Sequence, residues 1–237
     1  MFTVATSVIV IYAAAALLPC IILLSYIYRL DKIEKEPGAL LVKLLFGGVL
    51  ACIVSFLLEI LCTEDVDGST ASLQVILINA LLVAVIEEGS KFFFLKKFSW
   101  KNPAFNYRFD GVVYAIFVSL GFAAVENLLY VFFHGGLSVA VSRGLLSIPG
   151  HMSFAAYMGI YYGRAKVCDS VHDDSGSFWN LLAGFLFAAA FHMLYDSTLM
   201  IGSDTSTLVF VVVVLFIYLY VFARLRKEAA TDRSIQH

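Results

Sequence analysis

The chain has 237 residues, 61% of them hydrophobic and only 14% charged, with a formal net charge of −2. A soluble domain is about 45–50% apolar and about 25% charged, so the composition excludes an ordinary soluble enzyme. No basic tract or zinc-finger spacing points to nucleic acid, and Cys20, Cys52, Cys62 and Cys168 form no CxxC pair and read as packing residues.

A membrane span needs about 20 mostly apolar residues. Seven stretches qualify, at roughly 5–28, 39–62, 73–95, 110–133, 144–163, 178–200 and 206–223. They are too long and too continuously apolar for barrel strands, so helices must satisfy their backbone groups in lipid. The expected fold is an all-α polytopic transmembrane bundle, with residues 1–237 forming a single integral membrane domain. The first stretch has no Lys or Arg before Arg29, unlike a cleavable signal peptide, and is read as a membrane helix. Turn residues mark the joints, as in Asp67-Gly68-Ser69, Asn102-Pro103 and Gly202-Ser203-Asp204. The stretch 134–150 contains His134, Gly135, Gly136, Pro149 and Gly150, and reads as a loop or as an interfacial or broken helix.

Seven spans place 15 of the 16 Lys and Arg residues on one side, from Arg29 through Lys91 to Arg233, and leave Arg143 alone opposite. The positive-inside rule makes the rich side cytoplasmic. The N-terminus is therefore predicted outside and the C-terminus in the cytoplasm, with the acidic loop Glu64-Asp65-Val66-Asp67 outside.

Ionisable groups at membrane depth are costly and mark function by default. The third span carries Glu87-Glu88-Gly89-Ser90-Lys91, with Lys91 four residues from Glu87 and three from Glu88, so the lysine reaches both acids. A plain helix-end ion pair is the bland alternative. The fourth span carries Phe122-Ala123-Ala124-Val125-Glu126-Asn127; Glu126 is a site acid or an interhelical hydrogen bonder, and Phe122 a packing residue. The fifth carries Pro149-Gly150-His151, with His151 near its middle. The sixth carries His192-Met193-Leu194-Tyr195-Asp196, where the acid at i+4 can fix the ring's tautomer. His134 and His172 fall in loops, His237 is the last residue, and Glu59 reaches the outer interface.

Four spans thus contribute Glu87/Glu88, Glu126, His151 and His192/Asp196, and bundles build sites from such convergence. Carboxylate with imidazole suits general acid–base hydrolysis. Neither GxSxG nor HExxH is present. Zinc held by Glu88, Glu126, His151 and His192 stays open on donor type. With straight helices, Glu87/Glu88 and His192 sit about 10 Å apart in depth. A non-catalytic sensor or scaffold, or a proton-coupled transporter, uses similar residues, although no internal repeat supports a transporter.

Glu87-Glu88-x-x-Lys91, Phe122-x-x-x-Glu126 and His192-x-x-x-Asp196, in this order, resemble the PrsW family of intramembrane proteases. That family is grouped with CAAX prenyl proteases and bacteriocin-processing enzymes. Asp31-Lys32-x-Glu34-x-Glu36-Pro37, Phe109-Asp110-Gly111, Gly121 to Asn127 and His151 extend the likeness over about residues 25–200. The related prenyl proteases carry EExxxR, and a His where this chain has Glu126, which argues against prenylated substrates. The resemblance implies a multi-pass protein of the bacterial cytoplasmic membrane that cuts a single-span membrane substrate. In PrsW proteins that substrate is an anti-sigma factor, cut on the extracytoplasmic side to start a stress response. It further implies Glu87 or Glu88 as the base, with His192 and His151 as oxyanion or acid partners. Glu126 and Asp196 would orient them, Asn127 would support them, and Lys91 would hold one glutamate ionised.

Overall fold

The computed structural model describes residues 2–63, 70–201 and 203–235. The predicted acidic loop, the Asp67-Gly68-Ser69 turn, Gly202 and His237 lie outside the described residues. Among those described, the chain forms eight helices: α1 (Phe2–Leu30), α2 (Gly38–Cys62), α3 (Leu73–Ser99), α4 (Asp110–His134), α5 (Gly136–Leu145), α6 (Ser147–Ser170), α7 (Asp174–Ile201) and α8 (Asp204–Ala230). Seven of them match the seven predicted spans one for one.

Six of these helices are long and apolar enough to cross a membrane; α6 is not among them. It carries Ser, Gly and Tyr along with His151, Arg164, Lys166 and Asp169. Its packing explains the difference. It lies against α4 and α7, which shield it, and much of its length is buried. A helix shielded by its neighbours need not be apolar all round. The apolar window of α4 is 72% buried against 11% for α1, so α4 is the other central helix and α1 is peripheral.

Close crossings of α4 rest on glycine. A Cβ on Gly121 would lie 2.3 Å from the Leu45 carbonyl oxygen of α2, and one on Gly163 of α6 would lie 2.1 Å from the Arg108 carbonyl oxygen just before α4. Backbones approach this closely only where side chains are absent.

At the end of the bundle rich in basic residues, the chain folds back on itself. Arg108 Nη2 meets Glu228 Oε2 at 2.8 Å. The Phe109 amide donates to Asp232 Oδ1 at 2.8 Å, and Asn106 Nδ2 donates to Glu34 Oε2 at 3.1 Å. Asp31 and Glu36, in the link between α1 and α2, are buried there. Tyr114 donates its hydroxyl to Glu36, beside the Asp110 carboxyl. Burial pushes the Asp31 carboxyl up to about 6 and that of Glu36 up to about 7.

The stretch 134–150 is a broken helix. Gly135 (φ 138°) and Gly136 (φ 73°) take left-handed conformations that favour glycine, and they turn the chain from α4 into α5. His134 closes α4 and is not a loop residue. Helix α6 starts at Ser147, with Pro149 in the first turn, where its missing N–H is not needed. His151 is therefore one turn from the start of its helix and not at its middle.

Candidate active site

Helix α3 is capped by Ser72, whose hydroxyl accepts from the Val75 amide, and carries the acidic pair in its second half. Lys91 Nζ lies 2.9 Å from Glu87 Oε2 and 2.8 Å from Glu88 Oε1. A third contact, at 3.1 Å, reaches His151 Nδ1 on α6. An ammonium has three protons and no acceptor, and here each proton has a partner. Phe122 of α4 lies under the same nitrogen, 3.8 Å from ring centroid to Nζ, so it carries a cation–π contact as well as packing. Lys91 is 2% exposed and Glu88 0%. Lys91 therefore belongs to this buried cluster, on the span where the sequence put it.

The contacts of His151 settle its tautomer. Because Lys91 can only donate, Nδ1 must accept, and the ring proton is on Nε2. That nitrogen lies 2.8 Å from Glu126 Oε2. The same carboxylate oxygen meets Arg143 Nη2 at 2.8 Å. Arg143 Nε donates to Asn127 Oδ1 at 3.2 Å, and Asn127 Nδ2 donates to the Ala16 carbonyl of α1 at 2.7 Å. Both nitrogens of His151 are thus engaged, and the residue bridges Lys91 to Glu126.

Helix α7 supplies His192. Its Nδ1 lies 2.9 Å from Glu88 Oε1, and its Nε2 lies 3.3 Å from Asp196 Oδ2 and 3.9 Å from Glu87 Oε2. Both nitrogens face carboxylates, and the hydrogen-bonded contact is the one at Nδ1. Phe154 of α6 stacks on this ring, 4.9 Å between centroids, and excludes water from that face. The predicted depth gap between Glu88 and His192 is closed by the way α3 packs along α7.

All eight residues singled out in the sequence converge: Glu87, Glu88, Lys91, Glu126, Asn127, His151, His192 and Asp196. Sequence reasoning missed Arg143, the isolated basic residue opposite the charged side, sitting in the stretch already flagged as irregular. Glu59 lies one turn from the end of α2 and is half-buried, with one carboxylate oxygen lacking a hydrogen-bond partner.

Among the described residues, the ligand atoms of Glu87, Glu88 and His192 all lie within 4.8 Å of one another. Glu88 Oε2 is buried and has no hydrogen-bond partner in the protein. Two carboxylates and an imidazole are donors that zinc accepts, so these residues fit a divalent metal by type. Glu126 and His151, also possible ligands by donor type, lie outside this group of three and meet Arg143 and Lys91.

A family model described as PrsW family intramembrane metalloprotease matches residues 35–222. The chain is similar to a Protease PrsW of Geobacillus kaustophilus, 34% identical over 189 residues, or 79% of each chain. It is similar to one of Oceanobacillus iheyensis, 30% identical over 215 residues, which are 90% of this chain and 94% of that protein. It is also similar to one of Bacillus subtilis, 34% identical over 154 residues, 65% of this chain and 68% of that one. No solved structure matches the chain.

Proposed function

Because this chain belongs to the PrsW family of intramembrane metalloproteases, we propose that it hydrolyses a peptide bond in a single-span membrane protein, of the anti-sigma-factor class, at the Glu88–His192 pair. The protein is a multi-pass membrane peptidase. Its N-terminus lies outside and its C-terminus in the cytoplasm, following the basic residues, and the whole chain acts as one membrane domain.

The observation that carries this reading is Glu88. Its Oε1 is held by Lys91 and His192, at 2.8 and 2.9 Å. Its Oε2 is buried and has no partner. Tyr26, Ser55 and Asn106 also bury a polar atom without a partner, so this oxygen favours an enzyme over a scaffold only through its place in a cluster of carboxylates and two imidazoles drawn from four helices. Glu88 takes a proton from a water molecule, and the resulting hydroxide adds to the scissile carbonyl carbon. His192 donates to the developing oxyanion. The proton then passes to the leaving amine as the C–N bond breaks. Asp196 orients His192, Glu126 orients His151, and Lys91 balances the two glutamates. A divalent metal held by Glu87, Glu88 and His192 would supply a Lewis acid and a more acidic bound water.

The test uses purified protein in detergent with a single-span anti-sigma-type substrate. Glu88→Gln and His192→Gln should each abolish cleavage, whereas Asp196→Asn should lower kcat about 10–100-fold. A chelator added to the wild type reads the metal requirement. Full activity in Glu88→Gln removes the assigned base.

A further inference from the structure

We propose that Arg143, carried on the outer helix α5, is a positioning residue for the site: it clamps Glu126 and thereby fixes the orientation of His151. The effect on proteolysis rests on the reading above; the effect on the His151 ring does not.

The clamp is built from three contacts of one guanidinium. Nη2 meets Glu126 Oε2 at 2.8 Å, Nε donates to Asn127 Oδ1 at 3.2 Å, and the group lies over the Tyr130 ring, 3.8 Å from the centroid. Guanidinium is always charged, so it gives a carboxylate inside the bundle a permanent counter-ion; the Nη2–Glu126 approach is an ion pair and not an aligned hydrogen bond, and the directional contact is Nε to Asn127. Glu126 Oε2 is also the atom that His151 Nε2 meets, at 2.8 Å. The His151 ring is therefore held from two sides: by Lys91 at Nδ1, and by the Arg143–Glu126 pair at Nε2. Removing Arg143 leaves one side.

Helix α5 is seated firmly enough to hold such a clamp. A Cβ on Gly144 would come within 2.9 Å of Pro19, and one on Gly136 within 2.7 Å of the Tyr12 hydroxyl, so α5 lies flush on α1. Tyr218 of α8 donates to the Leu146 carbonyl at the far end of α5. Arg143 is the only charged residue of this helix, and it points at the site. A plain anchor for α5 would need the contact to Asn127 but not the one to the oxygen that His151 uses.

The experiment labels the histidines with ¹⁵N and records their ring signals in bilayers, assigning His151 by its loss in His151→Gln. Wild type and Arg143→Lys should show one His151 population protonated at Nε2. Arg143→Gln should shift that signal or split it between tautomers. Arg143→Gln/Glu126→Gln, which leaves no unpaired carboxylate if the single variant fails to fold, should do the same. In turnover assays Arg143→Gln should lower kcat about 10–100-fold, as outer-shell partners do, with KM little changed and recovery in Arg143→Lys. Its loss should not add to that of His151→Gln. An unaltered His151 signal in both Gln variants overturns the proposal. A wild type with the expected signal that cuts no substrate upholds the clamp and counts against the protease reading instead.

Discussion

Lys91 governs the charge balance of the site because, among the described lysines and arginines, it is the one in contact with both glutamates. Removing one partner of a buried pair typically costs about 3–5 kcal/mol, since the remaining charge is left without a partner. Lys91→Met is therefore expected to lose about that much stability in reversible unfolding from mixed micelles, as well as activity. Stability equal to wild type would mean that the pair is solvated. The acidic pair and Lys91 were legible in sequence because positions i, i+3 and i+4 share a helical face. The His192–Asp196 pair was legible on the same ground. Arg143 was not, because its partner Glu126 lies 17 positions earlier and is reached only after the chain turns at Gly135 and Gly136. Spacing rules within one helix cannot see that contact.

At the scale of elements, helix existence followed from apolar length, but two boundaries did not. The predicted span 144–163 crossed the break at Leu146 into the last two residues of α5, because that break is a single residue with ordinary side-chain character, and it stopped seven residues short of Ser170. The early start put His151 near mid-span, when it is one turn from the start of α6. Glycine placement decides how closely α4 approaches its neighbours. Ala normally stabilises a helix interior by about 1 kcal/mol over Gly. At Gly121 the sign should reverse: the added Cβ meets the Leu45 backbone, and overpacking costs about 1–3 kcal/mol. Gly121→Ala is expected to lower the melting temperature, whereas Gly38→Ala, with open space around its Cβ, should leave it unchanged. Equal melting in the two variants would contradict the close α2–α4 crossing.

The α1–α2 link makes a separate prediction at the same scale. Asp31 and Glu36 are held near 6 and 7 by burial, above their ordinary values. Between those ordinary values and the raised ones, the folded protein binds more protons than the unfolded chain, so stability falls as pH rises. Their contribution is fully present below about pH 4 and is lost as pH passes through about 6 to 7. Melting temperature should therefore drop across that window. Glu36→Gln, which keeps an acceptor for Tyr114, should flatten part of the drop. An identical slope in Glu36→Gln would show that this carboxyl titrates as it does in water.

For the whole molecule, two central helices, α4 and α6, are surrounded by helices whose outward faces are apolar. Composition and length were enough to read a bundle of membrane helices, because lipid demands apolar surface wherever a helix meets it, but not which helices are central. The polar character of α6 made its span boundaries the least legible, because a helix hidden from lipid escapes that demand. The site forms where α3, α4, α6 and α7 meet, and its closing contact, Glu88 to His192 at 2.9 Å, joins residues 104 apart in sequence. The most direct test is cleavage of a single-span substrate by the protein reconstituted in liposomes, compared with Glu88→Gln and His192→Gln reconstituted at equal amounts. The wild type should cut, with a loss of at least about 100-fold in each variant, the scale of general acid–base and oxyanion contributions. Undiminished cleavage by both variants would contradict the roles given to Glu88 and His192.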